Sequence, residues 1–359
     1  MKISDVDVAV YRFPTKQPEA DATLEWDATT AVVVRLHAGD EIGLGWTYSS
    51  PAAATVVTSH LADAVRGRSG FDVTGGYEAM RRACRNIGTR GLVAQAISAV
   101  DIAWWDLKAR LLGVSVTDLL GRVREAVPIY GSGGFTTLTD EQLAEQIQWW
   151  RSVGCKAMKI KIGESWGTAV DRDLARVRQL RERAGADVAL MVDANGGYTR
   201  GQARRVGREL DTLGVVWFEE PVSSDDTAGL GLLRDELDCD VTAGEYIADL
   251  AETRHLVPVV DCLQLDATRC GGYTGFLAAA AVARANNMDV SGHCAPALHA
   301  PLCACVVNLR HVEWFADHAR LEPILVSGCA EAWGGALHTT RDVLGHGMQL
   351  SKEAEQFCA

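Results

Sequence analysis

The stretch from Ala157 to Glu245 decides the fold: AMKIKI (157–162), VALMVDAN (188–195), VVWFEEP (215–221) and VTAGE (241–245). Each segment is a short apolar run ending in charged residues, and amphipathic helical patterns at 169–184, 199–213 and 224–237 separate them. Runs of this kind alternating with helices read as parallel strands joined by crossover helices. Working outward, the same rhythm continues in both directions. Val127–Tyr130 precedes the stretch, and Cys262–Leu265, Met288–Ser291 and Val312–Phe315 follow it, with helices expected at 139–153, 247–257, 273–285 and 297–308. Eight runs with seven intervening helices fit a (β/α)₈ barrel, whose usual size is roughly 250 residues.

The first 125 residues have a different grammar. Strand character over Ile3–Phe13, Thr29–His37 and Glu41–Tyr48 is followed by helical patterns at about 51–66, 73–86 and 91–113, an α+β unit. The polar, Gly-rich tail is expected to pack back on that unit. The chain therefore divides into 1–125, 126–320 and 321–359. Its 359 residues carry a net charge of −12, which argues against nucleic acid or an anionic membrane as partner. The longest apolar candidate, Phe276 to Ala283, is far too short to span a bilayer. The N-terminus lacks a signal-peptide layout, and ten cysteines without CxxC pairs read as reduced packing residues, so a cytoplasmic enzyme is expected.

Active sites of such barrels lie at the C-terminal ends of the strands. Lys159 and Lys161 share one face of the second run, and two neighbouring ammoniums should lower a lysine pKa toward the range of a general base. The third, fourth and fifth runs end at Asp193, Glu219 and Glu245, spaced 26 residues apart, one βα unit each. Singly, each could be an N-cap for the next helix. Together, three carboxylates from adjacent strands would repel strongly without a cation, and an all-oxygen set selects a hard ion, Mg²⁺, one per chain. Asp266 follows the sixth run and His293 the seventh; a carboxylate on the imidazole would orient it and favour its protonated form. Glu313, flanked by Val312 and Trp314, is expected to be a neutral acid able to donate to an oxyanion. The layout suits removal of the weakly acidic proton α to a carboxylate, with a dication stabilising the enediolate.

At these residues the chain resembles the mandelate racemase branch of the enolase superfamily over essentially its whole length. The carrying motifs are Lys159-x-Lys161, Asp193-x-Asn195, Glu219-Glu220-Pro221, Gly244-Glu245, Asp266 with His293, and Glu313, together with the helix from Ala94 to Gly113. Phe218 stands where the family pattern is usually aliphatic. The muconate-lactonizing branch places a lysine where Asp266 stands. The resemblance implies an α/β fold, a modified (β/α)₈ or (β/α)₇β TIM barrel under an α+β N-terminal capping domain. It implies Mg²⁺ on Asp193, Glu219 and Glu245, with Lys161 as base on one face and His293, supported by Asp266, as acid/base on the other. Lys159 would polarise the substrate carboxylate, Glu313 would assist the enediolate, and Asn195 would hydrogen-bond substrate. A homo-oligomer, from dimer to octamer, is the family habit.

The expected partner is a small carboxylate, and the favoured activity is dehydration of an acid sugar to a 2-keto-3-deoxy acid. Lys16, Glu25, Trp26, Asp27 and Tyr48 are candidates to face the substrate from the cap, Arg269 from the barrel mouth, with residues 14–28 a possible lid. A racemase, epimerase or lactone cycloisomerase on the same scaffold is the alternative. A zinc-binding regulatory module built on His293, Cys294, His299, Cys303 and Cys305 is the remote one.

Overall fold

The computed structural model describes all 359 residues. Three antiparallel strands open the chain: β1 (Asp5–Ala20), β2 (Glu25–Ala38) and β3 (Glu41–Tyr48). The hairpin between β1 and β2 runs well beyond the expected ends of its strands. Pairing slips at a bulge between Pro14 and Glu19 and resumes with Glu19 opposite Trp26. The Asp21 carboxylate closes its tip by accepting from the amides of Thr23 (2.6 Å) and Leu24 (2.8 Å). The polar composition of 14–28 hides this strand, because its pairing is fixed by hairpin register rather than by a buried face. The cap's own core lies between this sheet and the helix Leu92–Leu112.

Eight parallel strands then close into a barrel: β4 (Ala126–Gly133), β5 (Ala157–Lys161), β6 (Ala189–Asp193), β7 (Val215–Glu219), β8 (Asp240–Ala243), β9 (Cys262–Leu265), β10 (Asp289–Gly292) and β11 (Leu309–Phe315), with β11 pairing back on β4. Apolar side chains pointing outward pack under the helices in the main core, while Tyr130, Met191, Trp217 and Cys262 fill the barrel interior. Several helices start later than the pattern suggested because an aspartate caps them. Asp226 accepts from the Gly229 amide, and Asp249 from those of Ala251 and Glu252. A further helix, Ala316–Leu325, follows the last strand.

The tail does two things. Its hairpin, Glu331–Trp333 and Ala336–His338, adds antiparallel to β4. Beyond it the chain reaches the cap: the buried Asp106 carboxylate accepts from the amides of His346 (2.8 Å) and Leu44 (2.9 Å), and the Ala359 amide donates to the Val10 carbonyl.

Candidate active site

Parallel register aligns the acidic side chains. Lys161 pairs with Asp193 across β5–β6, and Asp193 with Glu219 across β6–β7, so three charged groups stand at one level of the barrel rim. Glu245 follows β8 by one turn of chain. Asp193, Glu219 and Glu245 each offer an oxygen, and the three lie within 4.8 Å of one another. The turns that aim these groups are strained: Asn195, Glu220, Cys294 and Ala295 all have positive φ without being glycine.

Two lysines and a histidine frame this set. Lys159, fully buried, places its Nζ 2.6 Å from Glu219, 2.9 Å from Glu313 and 3.1 Å from the Tyr130 hydroxyl. Lys161 Nζ is 2.5 Å from Asp193. His293 Nδ1 meets Asp266 at 2.9 Å, and its Nε2 lies 3.3 Å from Glu245. Burial works against charge on His293, but Glu245 and the Asp266 hydrogen bond outweigh it and raise its pKa, as the sequence led one to expect. Lys161, Asn195, Glu245, Asp266, Arg269 and His293 line a cavity of about 340 Å³, to which Trp26 and Tyr48 contribute from the cap.

The metal-ligand test is met by the donors themselves. All three are carboxylates, and Glu245 Oε2 is buried without a hydrogen-bond partner, an arrangement that a cation would complete. Burial raises the Glu219 pKa against the pull of Lys159.

Two expectations are corrected. Glu313 is not a neutral acid. Burial would raise its pKa, yet Lys159, His293 and Lys161 together with the Ser132 hydrogen bond hold it well below the usual carboxylate range. Its oxygens accept from the Ser132 hydroxyl (2.6 Å) and the Cys294 amide (2.9 Å). Lys161 is likewise not lowered by its neighbour. Burial, the largest single influence, and Lys159 pull its pKa down, but Asp193 with Glu313 and Glu245 together outweigh them and raise it.

Of the proposed cap residues, Trp26 and Tyr48 reach the cavity. Lys16 lines a separate cavity of about 550 Å³, Glu25 is exposed, and Asp27 pairs with Arg12 at the surface. Arg269 lies at the mouth, 3.0 Å from Glu245 and over the Tyr246 ring. The zinc set does not assemble. His299 has both ring nitrogens engaged, by the Ala267 amide and the Cys294 carbonyl, and Cys305 donates to backbone carbonyls. Only His293, Cys294 and Glu313 come together there.

Sequence reasoning passed over Tyr130 and Gln264. The Gln264 amide, oriented by its partners, donates to Glu219 and accepts from the Tyr130 hydroxyl (3.1 Å), fixing both against Lys159. The signal was present, since Gln264 is a polar residue inside an apolar run.

Comparison with known proteins agrees with this geometry. Residues 5–121 match the N-terminal domain of mandelate racemase / muconate lactonizing enzyme, and residues 142–354 match the enolase C-terminal domain-like family. A mandelate racemase/muconate lactonizing enzyme-like protein from Rubrobacter xylanophilus superposes with a TM-score of 0.97 at 42% identity, covering 100% of both chains. The 3,6-anhydro-alpha-L-galactonate cycloisomerase of Streptomyces coelicolor is 31% identical over 366 residues, 98% of each chain. L-talarate/galactarate dehydratase of Salmonella typhimurium is 32% identical over 281 residues, 76% of this chain and 70% of that one. Its structure liganded with Mg and L-lyxarohydroxamate superposes with a TM-score of 0.92 at 28% identity, over 100% of this chain and 93% of the other. With both halves matched and the charged rim assembled on successive strands, the chain belongs to the mandelate racemase/muconate lactonizing enzyme family of the enolase superfamily.

Proposed function

We propose that this protein is a Mg²⁺-dependent lyase that removes the proton α to the carboxylate of an acid sugar and expels the β-hydroxyl, giving a 2-keto-3-deoxy acid after tautomerisation. One observation carries the reading. Three buried carboxylates within 4.8 Å, one with an oxygen that no hydrogen bond satisfies, sit beside a cavity that both Lys161 and the His293–Asp266 pair line. The Mg bound in the dehydratase structure supports the choice of ion.

Asp193, Glu219 and Glu245 would hold the ion, which when bound supplies electrostatic stabilisation for the second negative charge that develops on the substrate carboxylate. The remaining work belongs to the chain's own groups. Lys159, held by Glu219, Glu313 and the Tyr130 hydroxyl behind the cavity wall, would act on the substrate carboxylate through its positive charge rather than by contact. Lys161 Nζ would take the α-proton in its neutral form, which a cation on Asp193 would favour by cancelling the carboxylate charge that otherwise holds Nζ protonated. His293, held protonated, gives its Nε2 proton to the departing hydroxyl, and Asp266 steadies the imidazolium. Asn195 Oδ1, buried without a partner, accepts from a substrate hydroxyl. Glu313 remains ionised, anchoring Lys159 and the Cys294 amide.

The near full-length match to a cycloisomerase favours a second reading, in which the same proton transfers open or close a ring oxygen instead of losing water. Incubating the Mg²⁺-loaded protein in D₂O with acid sugars, their lactones and aromatic 2-hydroxy acids, followed by NMR, separates these outcomes. Loss of water supports the dehydratase; deuterium at the α-carbon with every hydroxyl retained overturns it in favour of the isomerase.

We read 1–125 as the specificity cap, 126–320 as the catalytic barrel and 321–359 as a tie between them, in a cytoplasmic homo-oligomer. No helix is long and apolar enough to cross a membrane, which is compatible with that location.

A further inference from the structure

The cavity's charge is one-sided. Its cations, Lys161, Arg269 and His293, stand at the ligand end, and each already faces a carboxylate: Asp193 at 2.5 Å, Glu245 at 3.0 Å and Asp266 at 2.9 Å. The far wall comes from the cap and from the end of β11 with the helix after it, with Trp26, Thr29, Tyr48, Ser49, Phe315 and His318 along it.

The donors of that wall are committed behind it. The Tyr48 hydroxyl donates to Glu322 (3.0 Å), the Trp26 indole N–H to Glu19 (3.0 Å), the Thr29 hydroxyl to Asp317, and the Ser49 hydroxyl to Gln95 (2.5 Å). None of these four acceptors lines the cavity, and three are carboxyl groups. Asp21 does line it, a further acid, with Oδ1 taken by its own turn. Arg320, the cation of this second layer, is paired with Asp317 and lines the separate cavity. What remains to donate is neutral: the Thr30 hydroxyl, and the His318 ring. His318 Nδ1 accepts from the Ala295 amide at 3.0 Å, which leaves the ring proton on Nε2. Burial pushes Glu19 and Glu322 up to about 8, but in either protonation state this wall carries no positive charge.

We infer that the substrate carries a single carboxylate, an aldonate or its anhydro relative, with the acid group at the ligand end and an uncharged end against the cap. A second carboxylate there would give up hydration for oxygen lone pairs and acidic neighbours. Hydroxyl groups instead find acceptors in Tyr48, Thr29, Ser49 and Asp21, and sugar C–H groups pack on the Trp26, Tyr48 and Phe315 rings. This sets the chain apart from a galactarate-type dehydratase, whose named substrate bears an acid at each end.

The inference rests on the function proposed above, and its test keeps the two apart. The Mg²⁺-loaded protein is given aldonate and aldarate partners of the same configuration across the pentose and hexose series, with α-proton exchange and product formation read by NMR. In each reactive pair kcat/KM for the aldonate should exceed that of the aldarate by about tenfold or more. Thr30→Lys, which puts an ammonium on the far wall, should narrow or reverse the ratio; if that variant does not fold, the wild-type ratio decides alone. An aldarate processed as fast as its aldonate overturns the inference while leaving the lyase in place. Exchange from no acid sugar at all overturns the proposed function and this inference with it.

Discussion

Lys161 and His293 reach one cavity from the second and seventh barrel strands, so each can serve a different face of a bound substrate. Lys161→Ala should lower α-proton exchange by about 10³-fold on one face, whereas Asp266→Asn should weaken exchange on the other and spare the first. Stereospecific deuterium incorporation by NMR checks both, and equal loss on both faces in each variant would contradict the division of labour. At this scale the sequence was readable wherever alternation or a strand end fixes direction, as at Lys159, Lys161 and the three acidic residues. It misled where a charge depends on a neighbour distant in sequence. Apolar flanks suggested a neutral Glu313, but Lys159, 2.9 Å away and 154 residues earlier, keeps it ionised. Lys16, Glu25 and Asp27 were plausible by polarity alone, and polarity does not say which side of a hairpin faces the barrel.

Among the elements, the βα rhythm was legible because apolar period and length both change from strand to helix, while the hairpin at 14–28 was not, having no apolar face to betray it. In the cap, β3 packs backbone to backbone on the helix Leu92–Leu112. A Cβ on Gly45 would stand 2.3 Å from the Ala99 carbonyl oxygen, and one on Gly43 would stand 2.1 Å from that of Ala103. Gly45→Val should therefore destabilise the protein by about 1–3 kcal/mol or more, read as a fall in Tm; an unchanged Tm would contradict this packing. The same helix meets the barrel through Asp101, whose carboxylate accepts from the Thr274 amide (3.0 Å) and hydroxyl (2.6 Å). Burial pushes Asp101 up to about 7, the Thr274 hydrogen bonds opposing. Below about pH 4 both folded and unfolded chains hold its proton, and from there to about 7 the unfolded chain releases it first. Stability conferred by this group is thus present at low pH and lost as pH rises through that window. Tm should fall less between pH 5 and 8 in Asp101→Asn than in the wild type, and parallel curves would refute the assignment.

Across the whole molecule, the cap hairpin docks on barrel loops: the Thr136 amide donates to the Ala20 carbonyl, and the Trp166 amide to that of Ala22. One protein surface thereby combines a charged rim, supplied by the barrel, with a wall free of cations, supplied by the cap and the end of the barrel. The rim could be anticipated from spacing, since one βα unit separates each ligand from the next. The wall could not, because its residues come from three strands and a helix, β2 and β3 of the cap and β11 with the helix after it, whose apposition only the folded chain shows. The central claim is that the three rim carboxylates share a dication without which the α-proton cannot be removed. It is tested by stripping the protein with a chelator and titrating Mg²⁺ back while following α-proton exchange from a reactive acid sugar in D₂O. Exchange should vanish in the stripped protein and return to saturation at one Mg²⁺ per chain, with Glu219→Gln requiring at least about tenfold more ion. Exchange that persists undiminished after chelation, or that returns equally well in Glu219→Gln, would contradict it.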